Sequence, residues 1–309
     1  MVSSANLKTE SPFKNSGDTL IVCLSLCVIA VYFGGLSAFL QIAVCLFSVA
    51  ASELLFMKLI LKVNLLSDLS FVTSALIIAL LLPSDAPLYI GASASVFSVA
   101  ASVFPFGSRL NTPFHPSAVG IAFALTFFKG ELSYGKDLSF LISEGEVFSL
   151  DFFSVTDILS GATDGAMGCT SVLTLLAVAI FLFIRKKESL IPSFGFILSS
   201  AVFAFIFPRV NSGRLSSVFL EISAGSLLFT ALLLINHHIT APEKKLHDFI
   251  YGFSGGVITM LMRRFSPVLM PEVFSVLIMN ALLPALTSEK ASRKKFTGKE
   301  RRLNETSLS

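Results

Sequence analysis

Of the 309 residues, 54% are apolar and only 14% charged, and the mean hydropathy is +0.81, whereas a soluble domain carries roughly a quarter charged residues. The main solvent of the chain is therefore lipid. A net charge of +3 is too small to argue for a nucleic-acid partner, and the four cysteines, three in apolar runs and Cys169 alone, form no CxxC pair, zinc pattern or iron–sulfur run.

Apolar runs punctuated by charge, Pro or Gly occur at 19–33, 36–61, 69–83, 87–104, 114–128, 171–184, 190–207, 218–236, 248–262 and 272–287. Lipid offers no partner for backbone N–H and C=O groups, so each run reads as a helix, with roughly 20 residues needed for a full crossing and fewer where a helix is short or packed in a bundle. The first run resembles a signal-peptide core in length, but it begins late and no small-residue cleavage site leads into a polar domain, so it is read as helix one. The expected fold is an all-α polytopic membrane protein of about ten transmembrane helices.

The expected organisation is a cytoplasmic tail (1–18), a first membrane repeat of helices one to five (19–128), an extracytoplasmic loop (129–170), a second repeat of helices six to ten (171–287) and a basic cytoplasmic tail (288–309). With both termini in the cytoplasm, that side collects 17 of the 23 Lys and Arg, in keeping with the positive-inside rule. The loop is acidic: Glu131, Asp137, Glu144, Glu146, Asp151, Asp157 and Asp164 face only Lys129 and Lys136. The Arg263-Arg264 pair falls on the outer side and is the weakest point of this topology. Ser74-Ala-Leu-Ile-Ile-Ala-Leu-Leu-Leu82 resembles Ser226-Leu-Leu-Phe-Thr-Ala-Leu-Leu-Leu234 at an offset of 152 residues, and Pro116 and Pro271 head the last span of each half. Five spans per half impose opposite orientations, hence two inverted five-helix repeats with a site near their interface.

Near the end of the loop stands Asp157-Ile-Leu-Ser-Gly-Ala-Thr163. Ser160, Gly161 and Ala162 leave the backbone open to close approach, and the Thr163 hydroxyl is a candidate attachment point. On spacing alone, a Ser/Gly/Ala turn capping the next helix accounts for the same residues. The segment, however, resembles the D-x-x-[S/T]-G-A-[T/S] flavinylation motif of the RnfD/NqrB family of membrane redox subunits. The resemblance implies a covalent FMN phosphoester on Thr163, made by a flavin transferase, with Asp157, Ser160, Gly161 and Ala162 as recognition context.

Other stretches agree in order. Gly168-Cys-Thr-Ser171 resembles the family's G-E-T-S, Pro113-Phe-His-Pro116 its N-P-F-N-P, and Gly252 to Leu286 its last two helices, while Glu53 matches a family glutamate; the resemblance covers roughly 50–287. The chain departs from it in three places: Thr112 and His115 stand for asparagines, His237-His238 for Asp-Pro, and Cys169 for a glutamate. In relatives the first two regions lie near a second, non-covalent flavin, so a riboflavin near Thr112, His115 and His237 is not expected to be bound in the same way. The histidines suit a metal or proton relay, or, more simply, hydrogen-bonded helix caps. No metal is expected. Glu53, set within an apolar run near Lys58, is the residue around which an ion path is expected, since intramembrane ionisable groups face a bundle interior or water-filled route.

The resemblance further implies electron transfer coupled to Na⁺ or H⁺ translocation in a prokaryotic inner membrane. The implied partners are subunits of A, B, C, E and G types, besides membrane lipid. Two other readings share the architecture: a flavinylated conduit that does not pump, and a non-redox solute transporter or channel.

Overall fold

The structure, a computed structural model, describes residues 12–56, 70–106, 112–132, 134, 159, 161, 165–185, 190–209, 213–223, 225–236 and 245–283. Asp157, Ser160, Ala162, Thr163, His237, His238 and Lys58 lie outside the described residues. Among those described, the chain is all helix, turn and irregular connection with no strand.

Helix α1 runs Pro12–Phe56 and is divided at Gly35, whose φ of 61° and ψ of −142° interrupt the helical backbone. This is where the first two expected spans part, and it is a conformation that glycine reaches without a Cβ penalty. Val22, Leu26 and Ala30 before the break, and Ala38, Ile42, Cys45 and Val49 after it, are buried at helical spacing. Its other face carries Val28, Tyr32, Leu36 and Phe47, each at least 71% exposed. Apolar surface of that kind is stable against lipid rather than water.

The remaining helices are α2 (Ser70–Leu81), α3 (Leu88–Ser98, prolonged by a π-turn Val99–Val103 and a 3₁₀ turn Phe104–Phe106) and α4 (Pro116–Phe127). There follow α5 (Val172–Arg185), α6 (Ile191–Ile206), α7 (Arg214–Ser223), α8 (Leu227–Leu234, its last five residues a π-turn), α9 (Lys245–Phe265) and α10 (Pro271–Leu283). Gly17–Phe56 and Leu88–Phe106 are long and apolar enough to cross a membrane, and α7 with α8 makes a third such length, bent by 64°. The other apolar helices are shorter, α2, α4, α5, α6 and α10 among them. These apolar helices are consistent with a polytopic membrane protein.

Expected span eight thus differs from a straight helix. Gly225, at φ 62°, lies in the bend between α7 and α8; α8 is buried on every side, whereas α7 buries one face through Ser217, Leu220 and Glu221 and leaves Leu215 exposed. The two related segments share one environment: Ser74–Leu82 is buried throughout, and so is Ser226–Leu234. A helix that is apolar on every side has no lipid or water face to keep and is surrounded by other helices.

Around these two central helices, neighbours approach closely. A Cβ on Gly252 of α9 would stand 2.0 Å from the Pro192 carbonyl oxygen of α6, one on Gly195 2.7 Å from the Phe249 oxygen, and one on Gly256 2.0 Å from Ser199 Oγ. Pro192 meets Gly252, Ser199 meets Gly256, and just beyond the end of α6 Arg209 reaches the Arg263 carbonyl near the end of α9, so α6 and α9 are parallel. The second half of α1 and α3 are parallel too: Gly91 lies on Gln41 and Cys45, and further along Phe104 meets Phe56 at 4.9 Å between ring centroids. Asp18 near the start of α1 pairs with Arg185 at the end of α5 at 3.0 Å.

Candidate functional site

The part of the 129–170 segment closest to the threonine motif is organised by Ser171. Its hydroxyl accepts from the Thr174 N–H at 3.4 Å, which makes it the N-terminal cap of α5, and donates to the Leu159 carbonyl at 3.3 Å. Gly161 packs on the same serine at φ +95°, where a Cβ would stand 2.9 Å from Ser171 Cβ and 3.2 Å from its backbone nitrogen. Both the dihedral and the space require glycine. The smallness read from Ser-Gly-Ala has, at Gly161, a structural reason.

Four residues beyond the motif the chain is fixed again. Met167 N–H donates to the Leu82 carbonyl at 3.0 Å and Gly168 N–H to the Leu80 carbonyl at 2.7 Å, while the Tyr134 hydroxyl donates to the carbonyl of Leu81 between them at 3.2 Å. These are the carbonyls that the end of α2 leaves without intrahelical donors. Because Leu80, Leu81 and Leu82 are wholly buried, water cannot serve them, and Met167, Gly168 and Tyr134 do. Gly168 enables this approach: a Cβ there would lie 2.8 Å from Leu80 Cβ and 2.9 Å from the Phe229 ring of α8. The segment therefore closes over the junction of the two central helices. Cys169, in place of the family glutamate, is buried at 6% exposure, and its N–H donates to the Ala166 carbonyl at 2.8 Å.

Beside the start of α8 lies a buried charge network that sequence reading did not find. Arg209 holds Glu221 of α7 through Nε to Oε1 at 2.5 Å and Nη2 to Oε2 at 2.7 Å, and donates Nη1 to the Arg263 carbonyl at 2.9 Å. Arg263 of α9 donates to Glu221 Oε2 at 2.9 Å and, through Nε, to Glu272 Oε1 of α10 at 2.8 Å. The Ser226 hydroxyl then donates to Glu272 Oε2 at 3.1 Å. Two positive and two negative groups cancel, which is how charges survive such burial. Arg263 was the awkward residue of the expected topology; paired in this way, it is a structural charge rather than a mark of membrane side. Its only sequence signal was that awkwardness, since Arg209, Glu221, Arg263 and Glu272 are distant along the chain.

The remaining candidates are apart from this region in sequence. Glu53 is 4% exposed in the second half of α1, so it faces the bundle interior as an intramembrane carboxylate should. Thr112 and His115 are 1% and 2% exposed before α4. His115 occupies the N-cap position of α4, but its side chain makes no capping bond, which corrects the simpler reading. Pro116, which has no N–H to satisfy, takes the first helical turn in its place. Among the described residues no three His, Cys, Asp or Glu side chains gather as a metal-ligand set.

The chain matches the family model described as NQR2, RnfD, RnfE over residues 2–295. It is 25% identical over 296 residues to the D subunit of the Na⁺-translocating ferredoxin:NAD⁺ oxidoreductase complex of Acetobacterium woodii, covering 91% of this chain and 89% of the relative. It is 22% identical over 334 residues to the D subunit of the ion-translocating oxidoreductase complex of Actinobacillus succinogenes, covering 90% and 94% of the two chains. Similarity extends to the B subunit of the Na⁺-translocating NADH-quinone reductase of Chromohalobacter salexigens, at 25% identity over 234 residues, 70% of this chain and 56% of that one.

Proposed function

The chain belongs to the NQR2, RnfD, RnfE family, and from that premise we propose that it is the electron-transferring membrane subunit of an Rnf- or Nqr-type ion-translocating oxidoreductase complex, carrying FMN esterified to Thr163. The relatives' names supply the class of complex. The observation that carries the flavin reading is the way the motif's surroundings are tied down: Leu159 and Gly161 to Ser171 on one side of Thr163, Met167 and Gly168 to the end of α2 on the other. An attachment residue between two such anchors is fitted to hold a group in register with the two central helices.

The flavin, when attached, supplies one- and two-electron chemistry; the protein supplies position and local polarity. Asp157, Ser160, Gly161 and Ala162 form the context that a flavin transferase reads. The partners are the A-, B-, C-, E- and G-type subunits. The spans number ten, in two inverted halves, which the matched burial of Ser74–Leu82 and Ser226–Leu234 supports, as do the two parallel pairs α1–α3 and α6–α9. Both termini are cytoplasmic, and the membrane is a prokaryotic inner membrane. Glu53 lies on the ion route, and Thr112, His115 and His237 mark the region in which a second, riboflavin-type cofactor would be held differently from the relatives. Glu53→Gln tests the route: unchanged ion transport in the assembled complex would remove Glu53 from it.

The deciding experiment is in-gel flavin fluorescence of the denatured protein co-expressed with a flavin transferase, wild type against Thr163→Val. A fluorescent wild-type band that disappears in the variant is the expected result. A dark wild type, with the transferase active on a control substrate, overturns the covalent-flavin reading.

A further inference from the structure

Between the second half of α1 and α3 lies a polar cluster that the function above does not use. Gln41 is 0% exposed, and among the described residues neither its Nε2 nor its Oε1 reaches a hydrogen-bond partner. Its amide lies on Gly91, where a Cβ would stand 2.4 Å from Nε2, and the Cys45 sulfur lies on the same glycine, 2.9 Å from that point. The Ser95 hydroxyl, one turn further along α3 and likewise 0% exposed, has the Cys45 thiol, a weak hydrogen-bonding group, beside it and reaches no oxygen or nitrogen partner among the described residues. Two unpartnered amide atoms and a hydroxyl with only a thiol beside it thus gather around Cys45 and Gly91. Buried polar atoms are almost always satisfied by protein or by ordered water.

We infer that Gln41 and Ser95, roofed by the Cys45 thiol, form a binding site for internal water in the α1–α3 seam. The chemistry of the groups selects water over a cation. The cluster offers a donor (Nε2), an acceptor (Oε1) and a hydroxyl that does both, the two to four partners that a buried water needs. A cation would find two side-chain oxygens and no charge. Glu53 is twelve residues along the same helix, about 18 Å at 1.5 Å per residue, too far to contribute a carboxylate. Gly91 is the residue that allows the site, since any larger side chain would occupy the place of the amide. The inference stands on Gln41, Cys45 and Ser95 alone and is independent of whether Thr163 carries a flavin.

Cys45 is the reporter. In infrared spectra of the full-length protein in lipid nanodiscs, the Cys45 S–H stretch is isolated as the difference between wild type and Cys45→Ala. Cys23, also 0% exposed and set among apolar neighbours, is isolated in the same way through Cys23→Ala. On transfer to D₂O the Cys45 band is expected to shift to S–D while the Cys23 band persists, and Gln41→Leu is expected to abolish the Cys45 shift. A Cys45 band that stays S–H, or that exchanges no faster than Cys23, overturns the inference, because the seam is then dry or opens only with the whole bundle. The thermal midpoint of Gln41→Leu decides independently: it falls if water-bridged hydrogen bonds are lost, and a rise, reporting relief of an unsatisfied amide, overturns the site. Should Gln41→Leu not fold, Ser95→Ala serves the same two measurements with the same expectations.

Discussion

Between α6 and α9, glycines bring two parallel backbones together: Gly252 under the Pro192 carbonyl, Gly195 under that of Phe249, Gly256 under Ser199 and Phe196. The hydroxyls along that contact are spent locally, Ser199 and Ser200 both donating to the Phe196 carbonyl. Between the second half of α1 and α3, also parallel, one glycine does the corresponding work, and the contact carries the buried polar groups of Gln41, Cys45 and Ser95. Ser98, further along α3, is turned away to the Pro116 carbonyl of α4 at 2.8 Å, and Ser102 turns back to Ser98. Lipid gives helices no hydrophobic reason to associate, so close approach and polar contacts must hold them. The first pair relies on close approach along its length, whereas the second combines a single close approach with buried polar groups. The glycine seam has no room to rearrange, whereas the polar seam has groups that can exchange partners.

Substitutions separate the two regimes. The largest effect is expected where the rigid half is anchored by charge. Glu221→Ala leaves Arg209 and Arg263 buried without their shared carboxylate and is expected to cost roughly 3–5 kcal/mol, read as a lowered unfolding midpoint in detergent. Gly252→Ala comes next: its Cβ meets backbone, which cannot step aside, and the loss is expected near the upper end of the about 1–3 kcal/mol typical of overpacking. Gly91→Ala is the matched change in the polar seam. Its Cβ meets the ends of two side chains, Gln41 and Cys45, so a loss of about 1 kcal/mol, at the low end of that range, is expected. Equal losses at Gly252 and Gly91 would erase the distinction between the seams. Ser171→Ala removes the α5 cap and is expected to cost about 1 kcal/mol, with a drop in FMN loading at Thr163, measured by in-gel fluorescence, that exceeds the drop in folded protein.

The apolar helices were legible because lipid exposure and burial leave long hydrophobic runs, and Gly34-Gly35 marked the first division correctly. The bend between α7 and α8 was not, since the apolar run 218–236 is continuous across Gly225 and hydropathy carries no direction. The charge network was invisible for a related reason: pairing Arg209 with Glu221 and Arg263 with Glu272 is decided by which helix ends meet, and a linear pattern records none of that. Around the threonine motif, Gly161 and Gly168 were visible as small residues; what each accommodates, Ser171 in one case and Leu80 with Phe229 in the other, emerged only from packing.

Two of the three bonds that close the end of α2 come from the main chain: the N–H groups of Met167 and Gly168 grip two leucine carbonyls. Such a grip does not read side chains at all. Position 167 can therefore drift among residues that keep an N–H and tolerate burial, whereas position 168 is frozen by space and only proline is barred from 167 by the bond itself. In a saturation library scored for folded protein, the two neighbours would look like opposites although they perform the same task, and a tolerant column beside an intolerant one would be the genetic imprint of a backbone contact.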